Sequence, residues 1–207
     1  MRGLTRDTLR ALHYTLKTPP AIEPVDLALA KVQCRIEPDV VDEDGVLSAY
    51  IAAARAWVET YTGRGLMTQT WQVSLYDFPS RVWLPYAAPL ASVVAVRYYD
   101  TANTLQTLSS SVYTTAAFSE PACLTLVDGQ TWPSVYVRDD AVQIEYTVGV
   151  SDVANVPPAL VQAVQMLVGH WYVNREDVVT GTISTQIPMA AEALCAHHRL
   201  RVREPQW

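Results

Sequence analysis

The chain has 207 residues, 50% of them hydrophobic and 17% charged, with a formal net charge of −6. That length holds one domain, or one domain with a large insertion, and the acidic balance speaks against a protein that grips nucleic acid by a strongly basic face. No run is long and apolar enough for a membrane span, and no N-terminal apolar segment marks a signal peptide, so the expectation is a protein soluble and intracellular when made.

Residues 1–24 read as an arm. Arg2, Arg6 and Arg10 recur at i, i+4, i+8 with Leu4, Leu9 and Leu12 nearby. The pattern suits a frayed terminus, or a short basic helix that docks on an acidic partner or a neighbouring copy. A short helix is expected over 25–36, with Asp26 as its N-cap and Pro38 preventing a long continuation. The clearest helix lies at 42–63. Asp42, Glu43 and Asp44 cap it where the macrodipole favours negative charge. Val46, Leu47, Tyr50, Ile51, Ala54, Trp57, Val58 and Tyr61 keep the helical period, and Gly63 and Gly65 end it.

The period then changes to 2. Trp71, Val73 and Leu75 alternate with Thr70, Gln72 and Ser74, which is strand spacing. Further strands are expected at 81–85, 92–99, 105–108, 112–115, 123–127, 135–138 and 141–148. Asp100–Asn103 and Asp128-Gly129 are turn signals, and Asp139-Asp140 is expected to turn a hairpin between the last two strands. Residues 67–150 therefore read as an antiparallel β insertion between two helical blocks, 25–66 and 151–200. The fold class expected is α+β: a small helical bundle of about four helices interrupted by the β insertion.

The second block opens on Pro158, well placed as the first residue of a helix. Leu160, Val161, Val164, Leu167, Val168, Trp171 and Tyr172 form its apolar stripe. Ala163, Met166, His170 and Val173 make a second, mostly apolar flank. With few other helices to wrap it, this helix is expected to lie between its own core and a neighbouring subunit. Trp171, Tyr172, Asn174, Arg175 and Glu176 make the aromatic-plus-arginine cluster that subunit interfaces favour. Met166, His170, Trp171, Tyr172 and Arg175, with Trp57 and Tyr61 of the earlier helix, are the interface candidates. A loop at 178–188 and a last short helix at 189–200 precede the basic, Trp-ended tail 201–207.

Little chemistry is legible. The three cysteines, Cys34, Cys123 and Cys195, are odd in number and widely spaced. They read as buried thiols of a reducing compartment rather than a disulfide framework or metal ligands. The chain has no glycine-rich phosphate loop, nucleophile elbow or His-Glu-x-x-His motif. His197 and His198 are neighbours on a helix and point about 100° apart, which suits no shared metal. No catalytic residue, metal or cofactor is expected, and the chain does not read as an enzyme.

The order of blocks resembles a known family. Glu23-Pro-Val-Asp-Leu-Ala-Leu-Ala-Lys-Val-Gln-Cys-Arg-Ile36, Ile51-Ala-Ala-Ala-Arg-Ala-Trp-Val-Glu-Thr-Tyr-Thr-Gly-Arg64 and Leu66-Met-Thr-Gln-Thr-Trp71 are similar to segments of tailed-phage head–tail connector (adaptor) proteins. So are Trp83-Leu-Pro85, Pro89-Leu-Ala-Ser-Val93, Val156-Pro-Pro-Ala-Leu160 and His170-Trp-Tyr-Val-Asn-Arg-Glu176. Asp26 stands where Ser or Thr is usual, and Cys34 where His or Leu is. The resemblance implies a homo-oligomeric ring, usually of twelve copies, below the portal protein. Such a ring joins the portal to the next neck protein, a stopper or tail terminator, in a phage or a gene transfer agent. DNA passes through the lumen without sequence-specific binding, and no membrane is involved. The protein would be made in the host cytoplasm and then reside in the particle neck. On this reading His197, His198, Arg199, Arg201, Arg203 and Trp207 are the candidates for docking into the portal. The alternative is a virion-associated glycan- or receptor-binding module that uses Trp83, Tyr86, Tyr98, Tyr99 and Trp132.

Overall fold

In the computed structural model of the chain, residues 13–175 and 189–200 are described. The elements in chain order are β1 (His13–Thr18), α1 (Leu27–Cys34), α2 (Asp44–Thr62), β2 (Gln69–Leu75), β3 (Arg81–Trp83), β4 (Leu90–Tyr99), β5 (Leu105–Thr107), β6 (Tyr113–Ala116), β7 (Cys123–Leu126), β8 (Val142–Val148), α3 (Pro158–Val173) and α4 (Met189–Ala196). A single 3-10 turn, Val153–Asn155, leads into α3. The architecture is α+β, with four helices among the described residues and antiparallel strand pairing within both sheets. Two compact units share the chain. Described residues 13–21 and 68–149 make the sheet unit; 22–67, 150–175 and 189–200 make the helical unit.

In the helical unit the caps follow from local chemistry. The Asp26 carboxylate accepts the Leu29 N–H at 2.7 Å, satisfying a donor the first turn leaves orphaned. Helix α1 stops at Arg35, held in the left-handed region at φ 57°. Helix α2 stops at Gly63, φ 73°, whose N–H reaches the Glu59 carbonyl at 2.8 Å. Only glycine takes that backbone conformation without a steric cost. Pro158 occupies the first turn of α3, as expected.

Helix α3 is the centre of this unit. Helices α1, α2 and α4 all pack on it, burying Leu160, Ala163, Val164, Leu167 and Val168 completely. Each such leucine or valine contributes roughly 1.5–3 kcal/mol. The premise that few other helices wrap α3 is corrected. The short helices α1 and α4 are enough, because a 16-residue helix has room for three neighbours. Gly169 lets α1 come close: a Cβ there would lie 3.2 Å from the Gln33 amide nitrogen.

Buried charges tie the loops of this unit to its helices. Arg55, 7% exposed, donates through Nε to Glu23 at 2.7 Å and through Nη1 to Glu59 at 2.6 Å. Glu59 in turn accepts the Leu66 N–H at 2.8 Å. One network thus binds the entry to α1, the face of α2 and the loop after it. Lys31, 6% exposed, pairs with Asp44 at 2.7 Å and donates to the Pro38 and Val40 carbonyls at 3.2 and 2.8 Å. The acidic residues 42–44 therefore do more than expected. The N-cap residue Glu43 makes no side-chain cap bond; it pairs with Arg175, and Asp44 pairs with Lys31. A full charge in direct contact attracts a carboxylate more strongly than the partial charge of a helix end does.

The sheet unit holds a five-stranded sheet, β1-β2-β8-β4-β5, and a three-stranded sheet, β3-β7-β6. Strand β8 is central, and its alternation is complete: Val142, Ile144, Tyr146 and Val148 are buried, while Gln143, Glu145 and Thr147 are half-buried. Its core face meets Val73 and Leu75 of β2, Val96 of β4 and, from the smaller sheet, Val82 and Leu124. At the turn after β4, Asp100 Oδ1 accepts the Ala102 and Thr104 N–H groups at 2.9 and 3.0 Å, with Asn103 left-handed. The Thr104 bond, then that from the Gln106 amide at 2.8 Å, then that of Ala102, hold the Asp100 carboxyl below its ordinary pKa.

Two expectations are corrected here. Residues 13–18, read as part of an arm, form the edge strand β1 paired with β2. The signal was present in the alternation of Tyr14 and Leu16 with His13, Thr15 and Lys17, but every one of these residues is exposed. Residues 135–138 form no strand, so Asp139-Asp140 turns no hairpin. Both edges of β8 are already taken, by β2 and β4, which leaves no ladder for a further strand. The segment is held instead by the Tyr136 N–H to the Tyr99 carbonyl at 2.9 Å and by Arg138, which bonds both Asp140 oxygens and Asn103 Oδ1. The basic-helix expectation at Arg2, Arg6 and Arg10 and the loop at 178–188 lie outside the described residues.

Candidate interaction surfaces

The interface candidates gather at two ends of the helical unit. At the C-terminal end of α3, the Trp171 ring meets Tyr50 of α2 edge-on, with centroids 6.3 Å apart. The Arg175 guanidinium lies 4.5 Å from the centre of the Tyr172 ring and is paired with Glu43. That pairing pushes the Arg175 pKa above its ordinary value. His170 is half-buried, and its carbonyl accepts the Asn174 amide at 2.9 Å. Met166, Trp171 and Tyr172 pack on the core while remaining partly exposed. Their packed sides stiffen the site, and their exposed sides leave apolar area for a partner.

The second end is built from α2 and the residues after α4. Tyr50, Trp57 and Tyr61 stand at i, i+7, i+11 and so line one flank of α2. Trp57 and Tyr61 stack at 5.0 Å and 21°. Arg199 sits over the Tyr61 ring at 5.2 Å, within cation–π range. Arg64 Nε donates to the His198 carbonyl at 2.6 Å, and the Leu200 N–H donates to the Thr62 carbonyl at 2.8 Å. Residues 198–200 are thus strapped across the C-terminal end of α2, where carbonyls need donors and a cation complements the macrodipole. Burial, then the positive charges of Arg64 and His197, hold the His198 pKa below its ordinary value.

The structure therefore joins two sets of residues that the sequence kept apart: Trp57 and Tyr61 from the interface set, His198 and Arg199 from the docking set. His197 is exposed beside them. Arg201, Arg203 and Trp207 lie outside the described residues. Sequence reasoning missed Arg64 as the residue that secures the strap; its signal was its place at the end of the Thr62-Gly-Arg64 motif.

The aromatics of the sheet unit are mostly engaged in packing. Tyr86 stacks on Trp71 at 4.7 Å, Trp132 stacks on Phe78 at 4.6 Å, and Tyr98 meets Phe78 edge-on. Tyr99 lies 3.7 Å under Arg138. Trp83, 40% exposed, is the most open of the five named for glycan binding; Tyr86, Tyr98, Tyr99 and Trp132 are half-buried. No group of three or more His, Cys, Asp or Glu among the described residues is arranged to hold a metal, and no described helix is long and apolar enough to cross a membrane.

Residues 24–126 match the family model for phage gp6-like head–tail connector proteins. The chain belongs to this head–tail connector family. The role of a connector is structural, and the motifs Glu23, Arg55, Glu59 and Arg64 acquire a physical meaning as the bonds that hold its helical unit together. Among solved structures, the connector is similar to a chain in the neck of an empty gene transfer agent (GTA) particle computed with C6 symmetry. The two are 24% identical with a TM-score of 0.74, over 92% of this chain and 97% of that one. A chain in the virion of a native GTA particle matches at 23% identity and the same TM-score and coverage. A chain in the neck of a native GTA particle computed with C12 symmetry matches at 23% identity and a TM-score of 0.67, over 91% and 97%. At 23–24% identity the likeness is one of fold. No curated protein matches the chain.

Proposed function

We propose that the connector assembles as a ring, of twelve copies, in the neck of a phage or phage-like particle, where it sits below the portal and receives the next neck protein. DNA passes through the lumen without sequence-specific contacts. The observation that supports this best is the pair of half-exposed aromatic and arginine clusters on one helical unit, Tyr50–Trp171–Tyr172–Arg175 and Trp57–Tyr61–Arg199. Two different surfaces on one subunit suit head-to-tail contacts, which close into a ring when the rotation allows. Similarity of fold to chains in C6 and C12 necks supports the same reading. The net charge of −6 suits a channel wall, because each lysine or arginine contact to phosphate adds salt-sensitive affinity and so friction. The protein is made in the host cytoplasm and ends in the particle neck.

The test is native mass spectrometry of the full chain with its portal. A stoichiometric complex is expected, and deletion of 201–207, which leaves Arg199 and the Leu200 strap on α2 in place, should abolish it while the circular dichroism spectrum is retained. A chain that ignores the portal, or a truncation that binds unchanged, defeats the docking reading. A ring structure with a basic bore would refute the acidic channel.

A further inference from the structure

Helix α2, 19 residues and about 28 Å long at 1.5 Å per residue, carries a surface of opposite character toward each end. On its last two turns lies the stacked Trp57–Tyr61 pair, with Arg199 over Tyr61 and Arg64 behind the strap. Before its N-terminal end runs the segment 37–42, Glu-Pro-Asp-Val-Val-Asp. This segment is ordered from beneath. Lys31 draws the Pro38 and Val40 carbonyls inward, and the Val40 N–H closes a turn onto the Glu37 carbonyl at 3.1 Å. Its side chains are left outward: Val40 is 40% and Val41 65% exposed, and Glu37, Asp39 and Asp42 are exposed too. Asp44 and Glu43 are neutralised by Lys31 and Arg175. Glu37, Asp39 and Asp42 have no ion-pair partner among the described residues. Two adjacent valines thus stand exposed on an ordered loop, flanked by carboxylates.

The geometry points to a specific head-to-tail contact: the 37–42 loop of one copy docks on the Trp57–Tyr61–Arg199 surface of the next. Aromatic rings accept the Val40 and Val41 side chains, and Arg199 meets the carboxylates on either side of them. The acidic loop and the surface that carries Arg199 are complementary in charge, so a second copy of this chain supplies both halves of the contact. Because the two surfaces differ and lie at opposite ends of one helix, each copy offers one of each, as a closed ring of identical contacts requires. The inference rests on the ring reading above and names its interface.

Self-association of the full chain, alone and on its portal, is to be measured by sedimentation velocity and native mass spectrometry. Arg199→Glu, and separately Asp39→Lys with Asp42→Lys, should each weaken association by about tenfold or more, and combining all three should restore it. In the Arg199→Lys chain, a zero-length carbodiimide should couple position 199 to Asp39 or Asp42 of a second copy. A ring that forms undisturbed by the reversals, or coupling of position 199 to another segment or to the portal, overturns the loop contact and leaves the ring reading standing. A chain that forms no oligomer under either condition brings down both.

Discussion

The helical unit and the sheet unit solve the same problem by different means. In the helical unit, segments far apart in sequence meet through buried charge. Glu23 and Glu59 share Arg55, Lys31 gathers Asp44 and two carbonyls, and Arg64 holds residue 198. In the sheet unit, distant segments meet through backbone ladders over an apolar core, and the cross-strand pair Arg97–Glu145 is 38% and 24% exposed. Helices satisfy their own backbone bonds, so their connecting loops need other anchors. Strands use their backbone bonds on one another and need fewer. The charged anchors also leave the loop ends of the helical unit ordered enough to present surfaces.

The sharpest way to break this contrast is to remove one member of the buried network. Arg55→Met should cost about 3–5 kcal/mol, because it removes the buried guanidinium that both Glu23 and Glu59 bond. Urea unfolding measures it, and a loss below about 1 kcal/mol would show that the network holds nothing. In the sheet unit the comparable loss should come from packing. Ile144→Ala, at the middle of the central strand, should cost about 2–5 kcal/mol from lost burial and the cavity left behind. A milder unfolding change would mean that the two-sheet core collapses around the gap.

Smaller effects sharpen the comparison. Asp26→Ala should cost about 1 kcal/mol by orphaning the Leu29 N–H. Arg97→Ala should cost less, from about 0 to 1 kcal/mol, because its pair with Glu145 is solvent-screened. If Arg97→Ala rivals Arg55→Met in denaturant melts, the distinction between the units fails. The smallest change is one of pH. The His198 pKa is held below its ordinary value of 6.5, so the neutral ring is favoured in the fold. Its contribution is fully present above about pH 6.5 and is lost as pH falls through the lower folded value. Stability should therefore decline with acidification in that window, and His198→Asn should flatten the decline in melts recorded at stepped pH.

Much of the fold was legible. Helices α2 and α3 followed from their apolar period, and the caps Asp26, Gly63 and Pro158 stand where local chemistry puts them. Strand β8 followed from its alternation. The misreadings share a cause. Residues 135–138 carry strand-like side chains, but whether a strand forms depends on a free edge, which is a property of the whole sheet. Residues 13–18 read as part of an arm although Tyr14 and Leu16 alternate with polar neighbours; their backbone bonds to β2 are what hold them as an edge strand.

The interaction surfaces divide the same way. Residue type marked Trp57, Tyr61, Trp171, Tyr172 and Arg175 as unusual, because aromatic and arginine side chains on a half-buried flank exceed what a core needs. Amino-acid sequence alone therefore determined the helices, the strand alternation, the acidic balance and the family motifs, all of which depend on neighbours within a few residues or on composition. Only the tertiary structure decided that Arg199 lies over Tyr61, that Arg55 lies between Glu23 and Glu59, and that Lys31 holds residues 38–40 so that their side chains face outward. Those pairings depend on where α1, α2 and α4 come to rest against α3, and no local pattern encodes a distance between residues separated by tens of positions.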